Sequence, residues 1–170
     1  GVARVGSGAA AAHGLSPFER QVYDAVYAVP SALYPVVWPV MQVGSLGGGL
    51  ALAAVMGVGT RRWPVGAFGL AAVGGSWVVA KAIKALVARG RPTEFELVTA
   101  LDRGAPDGGL GFVSGHTTVA FALYAMVVPH LAPRYRLPAL ALASLVGLSR
   151  IYVGAHLPLD VVGGAALGTL

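Results

Sequence analysis

The residues able to do chemistry fall in three places. The stretch Ser149-Arg150-Ile151-Tyr152-Val153-Gly154-Ala155-His156-Leu157-Pro158-Leu159-Asp160 sets an arginine, a histidine and a carboxylate beside an otherwise apolar C-terminal run. Ionisable groups at the edge of a hydrocarbon layer are costly, which marks such a cluster as a functional site. His156 and Asp160 are four residues apart. On a helix beginning near Pro158 they share a face, and the carboxylate can orient the imidazole by accepting its second N–H. Upstream, Lys84 and Arg91 bracket the end of one apolar run, and Ser114-Gly115-His116 opens another. Ser114 is a good helix N-cap, and the N–H groups exposed at such a terminus bind anions. Lys84, Arg91 and Arg150, helix N–H groups and a hydroxyl together make a receptor for a tetrahedral oxyanion, to which two histidines add a nucleophile and a proton donor. That is equipment for phosphoryl transfer. Spacing alone does not say which histidine attacks, although the carboxylate favours His156. No metal is expected, because Asp160 is the only carboxylate near the histidines and hard cations gather several oxygen ligands. The competing reading makes Arg150 a snorkelling anchor and His156 a helix cap.

The rest of the chain decides between them. Its 170 residues are 56% hydrophobic and only 11% charged, with mean hydropathy +0.72, a composition that belongs to membrane proteins rather than to soluble domains. The net charge of +5 comes mostly from basic residues between apolar runs, which points to anionic lipid or phosphate partners and not to nucleic acid. Without cysteine there are no disulfides, thiol nucleophiles or cysteine metal sites.

Residues 1–15, rich in Ala, Gly and Val, read as a flexible tail or the stub of an upstream element, followed by a membrane-embedded domain over 16–170. Ser16-Pro17-Phe18-Glu19 has a capping-box layout that starts a helix. Phe18, Val22, Ala25, Val26 and Val29 fall on one side of it and Glu19, Arg20 and Asp24 elsewhere, an amphipathic pattern suited to the membrane surface. No charge occurs from Ala25 to Thr60, enough for a first span whose regular helix Pro30, Pro35 and Pro39 push toward the later part. A second runs from Pro64 to about Ala88, a third from Ser114 to about Leu131, and a fourth from the Pro133-Arg134-Tyr135-Arg136 turn to about Val153. A fifth begins near Pro158, where the residues that remain are too few to cross. Arg89-Gly90-Arg91-Pro92 ends the second span, and the polar, Gly-rich loop that follows to Phe112, with Glu94, Glu96, Asp102, Arg103 and Asp107, is a lid candidate. Gly44, Gly48, Gly164 and Gly168 permit close helix contact. The expected fold is all-α, a transmembrane bundle of about five spans plus an interfacial amphipathic helix.

Counting crossings puts Lys84, Arg91, Ser114, His116, Arg150, His156 and Asp160 on one membrane face and Arg61, Arg62, Arg134 and Arg136 on the other. Random anchoring would not sort them so. His130 and His13 lack carboxylate or arginine neighbours and read as structural or solvated.

With these residues in place, the chain resembles the type 2 phosphatidic acid phosphatases, integral-membrane relatives of vanadium haloperoxidases. Lys84 to Arg91-Pro92 fits the family's KxxxxxxRP motif, Ser114-Gly115-His116 the core of PSGH, and Ser149-Arg150 through His156 to Asp160 fits SRxxxxxHxxxD. Val113 stands where the family has proline. Members commonly have six spans, so a first helix is expected upstream or in another domain, and fusion to or association with a further membrane domain is an expectation. The resemblance implies that Lys84, Arg91 and Arg150 hold the phosphate with Ser114 and the Gly115 N–H. His156 then attacks phosphorus, Asp160 orients it and His116 protonates the leaving group.

The expected function is metal-free removal of phosphate from a lipid phosphate or lipid pyrophosphate, with no cofactor. Polyprenyl pyrophosphate is preferred, and phosphatidylglycerol phosphate and phosphatidic acid are alternatives. The expected location is a bacterial plasma membrane with the site facing outward, since Arg61, Arg62, Arg134 and Arg136 mark the cytoplasmic side. The rival from another class is a non-catalytic lipid-phosphate binding or transport domain, against which the intact His156–Asp160 pair argues.

Overall fold

The computed structural model describes residues 14–59, 61–98, 103–106 and 108–170. These contain seven α-helices: α1 Pro17–Tyr27, α2 Tyr34–Val43, α3 Leu46–Gly59, α4 Trp63–Val87, α5 Gly115–Val127, α6 Pro133–Tyr152 and α7 Pro158–Gly168. Among the described residues there is no strand, only an isolated antiparallel bridge between Gly90 and Leu110. The all-helical expectation holds. Helix α5 is central: it packs on α4, α6 and α7 and touches α2 and α3. Thr117, Thr118, Val119, Ala120, Ala122 and Leu123 along it are buried.

Small residues let the helices approach. A Cβ on Gly164 would lie 2.6 Å from the Ser114 carbonyl of α5, and one on Gly168 would strike the Thr118 carbonyl. The two glycines therefore bring α7 onto α5 backbone to backbone, as the four-residue spacing predicts. Gly44, likewise, lies against the His116 carbonyl.

The outer surface is apolar. Phe68, Val78 and Leu86 of α4 and Leu137 and Leu145 of α6 are all more than half exposed, as side chains facing lipid would be. Among the described residues, α4 is the one helix long and apolar enough to cross a membrane alone. Pro17–Tyr27 and Ser31–Val43 qualify only together, across a 67° bend.

Two local expectations are corrected. The prolines do not push the first span's helix toward its later part: Pro35 sits in the first turn of α2, where its missing N–H is not needed, and Pro39 lies inside the helix. The uncharged stretch instead breaks at Gly44–Ser45, where the Ser45 hydroxyl accepts from Gly48 N at 2.9 Å and starts α3. In α1, Ser16 caps as expected, accepting from Glu19 N at 3.1 Å. The buried face, however, runs through Glu19 and Tyr23, while Phe18 and Ala25 face outward. Only half of a capping box forms, because the Glu19 carboxylate is engaged elsewhere.

Candidate active site

The C-terminal motif is shaped by how α6 ends and α7 begins. Gly154 has φ +76°, and the chain closes in a Schellman pattern: Gly154 N donates to the Ile151 carbonyl at 2.8 Å and Ala155 N to the Arg150 carbonyl at 3.0 Å. His156 N also donates to the Arg150 carbonyl, at 3.2 Å. The six-residue interval thus folds back, bringing His156 beside the base of Arg150. Pro158 then starts α7 behind the N-cap Leu157, with Asp160 as third residue of the helix.

Asp160 is fully buried and every oxygen is used. Oδ2 accepts from Leu157 N at 2.9 Å and faces His156 Nδ1 at 3.4 Å. Oδ1 accepts from Arg89 Nη1 at 3.1 Å, and its carbonyl accepts from Ser114 N at 2.8 Å. The expected pairing of His156 with Asp160 is present, for a different reason. His156 precedes the helix, so the two share no helical face. Asp160 caps α7 and the cap turns its outer lone pairs onto the imidazole. The 3.4 Å separation is long, as such bonds often are before substrate binds. Burial, the largest cause, lowers the His156 pKa to about 4; Asp160 pulls it upward, and Lys84 and Arg150 add to the lowering. The ring is neutral at pH 7. With Nδ1–H facing the carboxylate, Nε2 carries the lone pair.

Around this pair stand the cations. Lys84, in the last turn of α4, donates to the Leu110 and Gly111 carbonyls at 3.1 and 2.7 Å. Arg91 donates to the Ala155 carbonyl at 3.0 Å, and Arg150, 8% exposed, donates to the Met41 sulfur. Among the described residues both arginines carry a buried Nε without a hydrogen-bond partner, donors that an oxyanion would satisfy. Lys84, Arg91, Arg150, His116 and His156 lie close enough to sense one another's charge. His116 is the second residue of α5 and half-buried. His130 is exposed at the other end of that helix, apart from the cluster; His13 lies outside the described residues.

Ser114 occupies the N-cap position, but its hydroxyl makes no capping bond. It accepts instead from Thr117 Oγ1 at 2.9 Å and is fully buried. The first-turn N–H groups, including that of Gly115, are therefore left uncapped by a side chain. The segment expected as a lid is pinned where it is described. Gly111 N donates to the Arg89 carbonyl at 2.7 Å. Arg103 donates to the Tyr27 and Tyr152 carbonyls at 2.9 and 2.8 Å, lying over both rings. Asp102 and Asp107 lie outside the described residues. Gly111 allows a close approach: a Cβ there would be 2.8 Å from Asp160 Oδ2 and 2.7 Å from the Gly90 carbonyl.

Sequence reasoning missed Arg89 and Glu19. Arg89 read as a span end and Glu19 as a solvated helix residue, yet they form a buried bidentate pair at 2.7 and 3.0 Å. Burial opposes the Arg89 charge most strongly, but Glu19 and Asp160 together hold the guanidinium above its ordinary pKa. The available signal was a carboxylate beside a membrane, which needs a partner. Nothing in the sequence says which cation that is.

Residues 63–170 match the PAP2 superfamily. Lipid A 1-phosphatase of Rhizobium johnstonii is 37% identical over 112 residues, covering 61% of this chain and 43% of that protein. Phosphatidylglycerophosphatase B of Bacillus subtilis is 29% identical over 135 residues, 71% of this chain and 63% of that protein. The chain spans about half the length of the curated relatives it matches. The crystal structure of Aquifex aeolicus LpxE shares the fold with TM-score 0.76 at 23% identity, over 91% of this chain and 92% of that one. That of the transmembrane PAP2 type phosphatidylglycerolphosphate phosphatase from Bacillus subtilis gives 0.73 at 27% identity, over 95% of this chain and 85% of that one.

Proposed function

This chain belongs to the PAP2 superfamily, and on that footing we propose that it hydrolyses a lipid phosphate or lipid pyrophosphate, without a metal, through a phosphohistidine on His156. The observation that carries the reading is a neutral, buried imidazole backed by Asp160 among Lys84, Arg91 and Arg150. The cations and the α5 N–H groups, with the Gly115 N–H and Ser114 beside them, hold the phosphoryl oxygens. The Nε2 lone pair attacks phosphorus, and the bond to the lipid oxygen breaks as the P–N bond forms. His116, as general acid, gives a proton to the departing oxygen. Water then attacks phosphorus, His116 takes back a proton, and the P–N bond breaks to release inorganic phosphate. Metal-free chemistry is supported by the donor set: both Asp160 oxygens already face N–H groups.

The substrate class is a membrane lipid, consistent with relatives named for lipid A and phosphatidylglycerophosphate. Polyprenyl pyrophosphate, the preference drawn from sequence, gains no support from these relatives and stays in the test panel. The membrane-embedded domain is read as residues 16–170 in about five spans, with the site outward in a bacterial plasma membrane. An impermeant thiol reagent should label a cysteine at Gly108 in intact cells; labelling only after lysis reverses the orientation. The decisive assay is phosphate release in detergent from lipid A 1-phosphate, phosphatidylglycerophosphate, phosphatidic acid and polyprenyl pyrophosphate. Activity should survive chelation and be inhibited by vanadate. Vanadate binding without turnover of any member would favour the non-catalytic lipid-phosphate binding domain instead.

A further inference from the structure

Two buried charged residues that none of the three motifs specifies support the Asp160 carboxylate, Arg89 by direct contact and Glu19 through Arg89. Arg89 is 5% exposed and Glu19 2%. Arg89 Nη1 binds Asp160 Oδ1, while Nη1 and Nη2 together grip the two Glu19 oxygens. Glu19 Oε1 also accepts from Leu159 N at 3.0 Å, in the first turn of α7. We propose that Arg89 and Glu19 are positioning residues that act through Asp160 to fix the His156 imidazole in its attacking tautomer. The inference deepens the reading of His156 as nucleophile and rests on it.

The physical case begins with the carboxylate. Rotation about its last torsion is soft, so an isolated carboxylate would exchange its oxygens and blur its direction. Arg89 breaks that symmetry by holding Oδ1, which leaves Oδ2 for Leu157 N–H and His156. Arg89 is itself a long side chain, and the fork-on-fork bonds to Glu19 remove its freedom. One guanidinium charge is shared between two carboxylates, so the trio keeps a net negative charge facing His156. That charge favours Nδ1–H over Nε2–H, and it stabilises the cation that develops on the ring as Nε2 bonds to phosphorus. Helix α1 carries Glu19, so its docking is part of the active site's support.

A purely structural role, as caps for α7, makes a different prediction: these variants would melt earlier without a change in tautomer. The test uses the full chain in detergent, with Arg89→Met, Glu19→Gln, Asp160→Asn and the double variants. Nitrogen-15 NMR of His156 should show Nδ1–H in the wild type and a loss of that preference in Arg89→Met. Turnover of the best panel lipid and of p-nitrophenyl phosphate should fall about 10- to 100-fold in kcat, with KM little changed and both substrates affected alike. Arg89→Met/Asp160→Asn should be no slower than Asp160→Asn, because both act on one unit. An unchanged tautomer in Arg89→Met, or losses that multiply in the double variant, overturns the inference. Should Arg89→Met fail to fold, Glu19→Gln alone and with Asp160→Asn decides by the same criteria. A wild type with the Nδ1–H tautomer and no turnover would sink the phosphatase reading and leave the positioning inference standing.

Discussion

Asp160→Asn probes the centre of the site while changing almost no volume. Three N–H groups converge on the carboxylate: Arg89 at 3.1 Å, Leu157 at 2.9 Å and His156 Nδ1 at 3.4 Å. An amide offers one oxygen and one NH2, so one side must become donor against donor. With its oxygen toward the charged guanidinium, the stronger bond of the two, the NH2 meets Leu157 N–H. It can then satisfy His156 only by donating to Nδ1. The ring proton moves to Nε2, and the attacking lone pair is lost. In this fully buried site the donor conflict should cost about 1–3 kcal/mol of stability. The wrong tautomer should cost about 10⁴-fold in kcat, the figure for the corresponding serine-protease substitution, or about 5.5 kcal/mol of barrier. KM should change little, since the phosphate-binding cations are untouched. The assay is steady-state phosphate release alongside thermal unfolding in detergent. A folded Asp160→Asn protein with kcat within about threefold of wild type would refute the orienting role.

Further outcomes follow from the structure. His156→Ala should abolish turnover of lipid and aryl phosphates alike. His116→Ala should slow lipid turnover by about 10²- to 10⁴-fold and aryl phosphate much less, because a stable leaving group needs no acid; equal losses in a pre-steady-state burst would reverse the assignment. Because the folded His156 pKa is about 4 and below the ordinary 6.5, the imidazole proposed as nucleophile stays neutral as pH falls through 6.5. Once the substrate's own ionisation is divided out, the acid limb of kcat/KM from this group should lie near pH 4, and a limb at 6–7 contradicts the burial argument. The unfolded chain takes up this proton first, so His156 should also make stability decline between about pH 6.5 and 4 and not above. Gly164→Ala places a methyl 2.6 Å from the Ser114 carbonyl and should destabilise by about 1–3 kcal/mol through overpacking. A melting temperature unchanged by Gly164→Ala would mean that α5 and α7 are not held at backbone contact.

The sequence by itself determined the helical class, because long uncharged apolar runs broken by basic and proline turns have few other solutions in a membrane. It also brought most of the candidate site residues to one face. Lys84, Arg91, His116, Arg150 and His156 converge because they lie alternately at the ends and at the starts of successive apolar runs, which meet on one face. Glycines at four-residue spacing pointed to close helix contact for a similarly local reason, without saying which helices meet. What the sequence could not decide was anything set by approach across the bundle. Asp160 meets His156 through the capping geometry of α7, and the Ser114 hydroxyl turns to Thr117 instead of its own helix N–H. Glu19 leaves the solvated side assigned to it and pairs with Arg89, 70 residues away. A periodic pattern records which face of a helix is apolar. Only packing says which buried charge finds its partner, since that depends on the relative placement of three helix ends that no local propensity encodes.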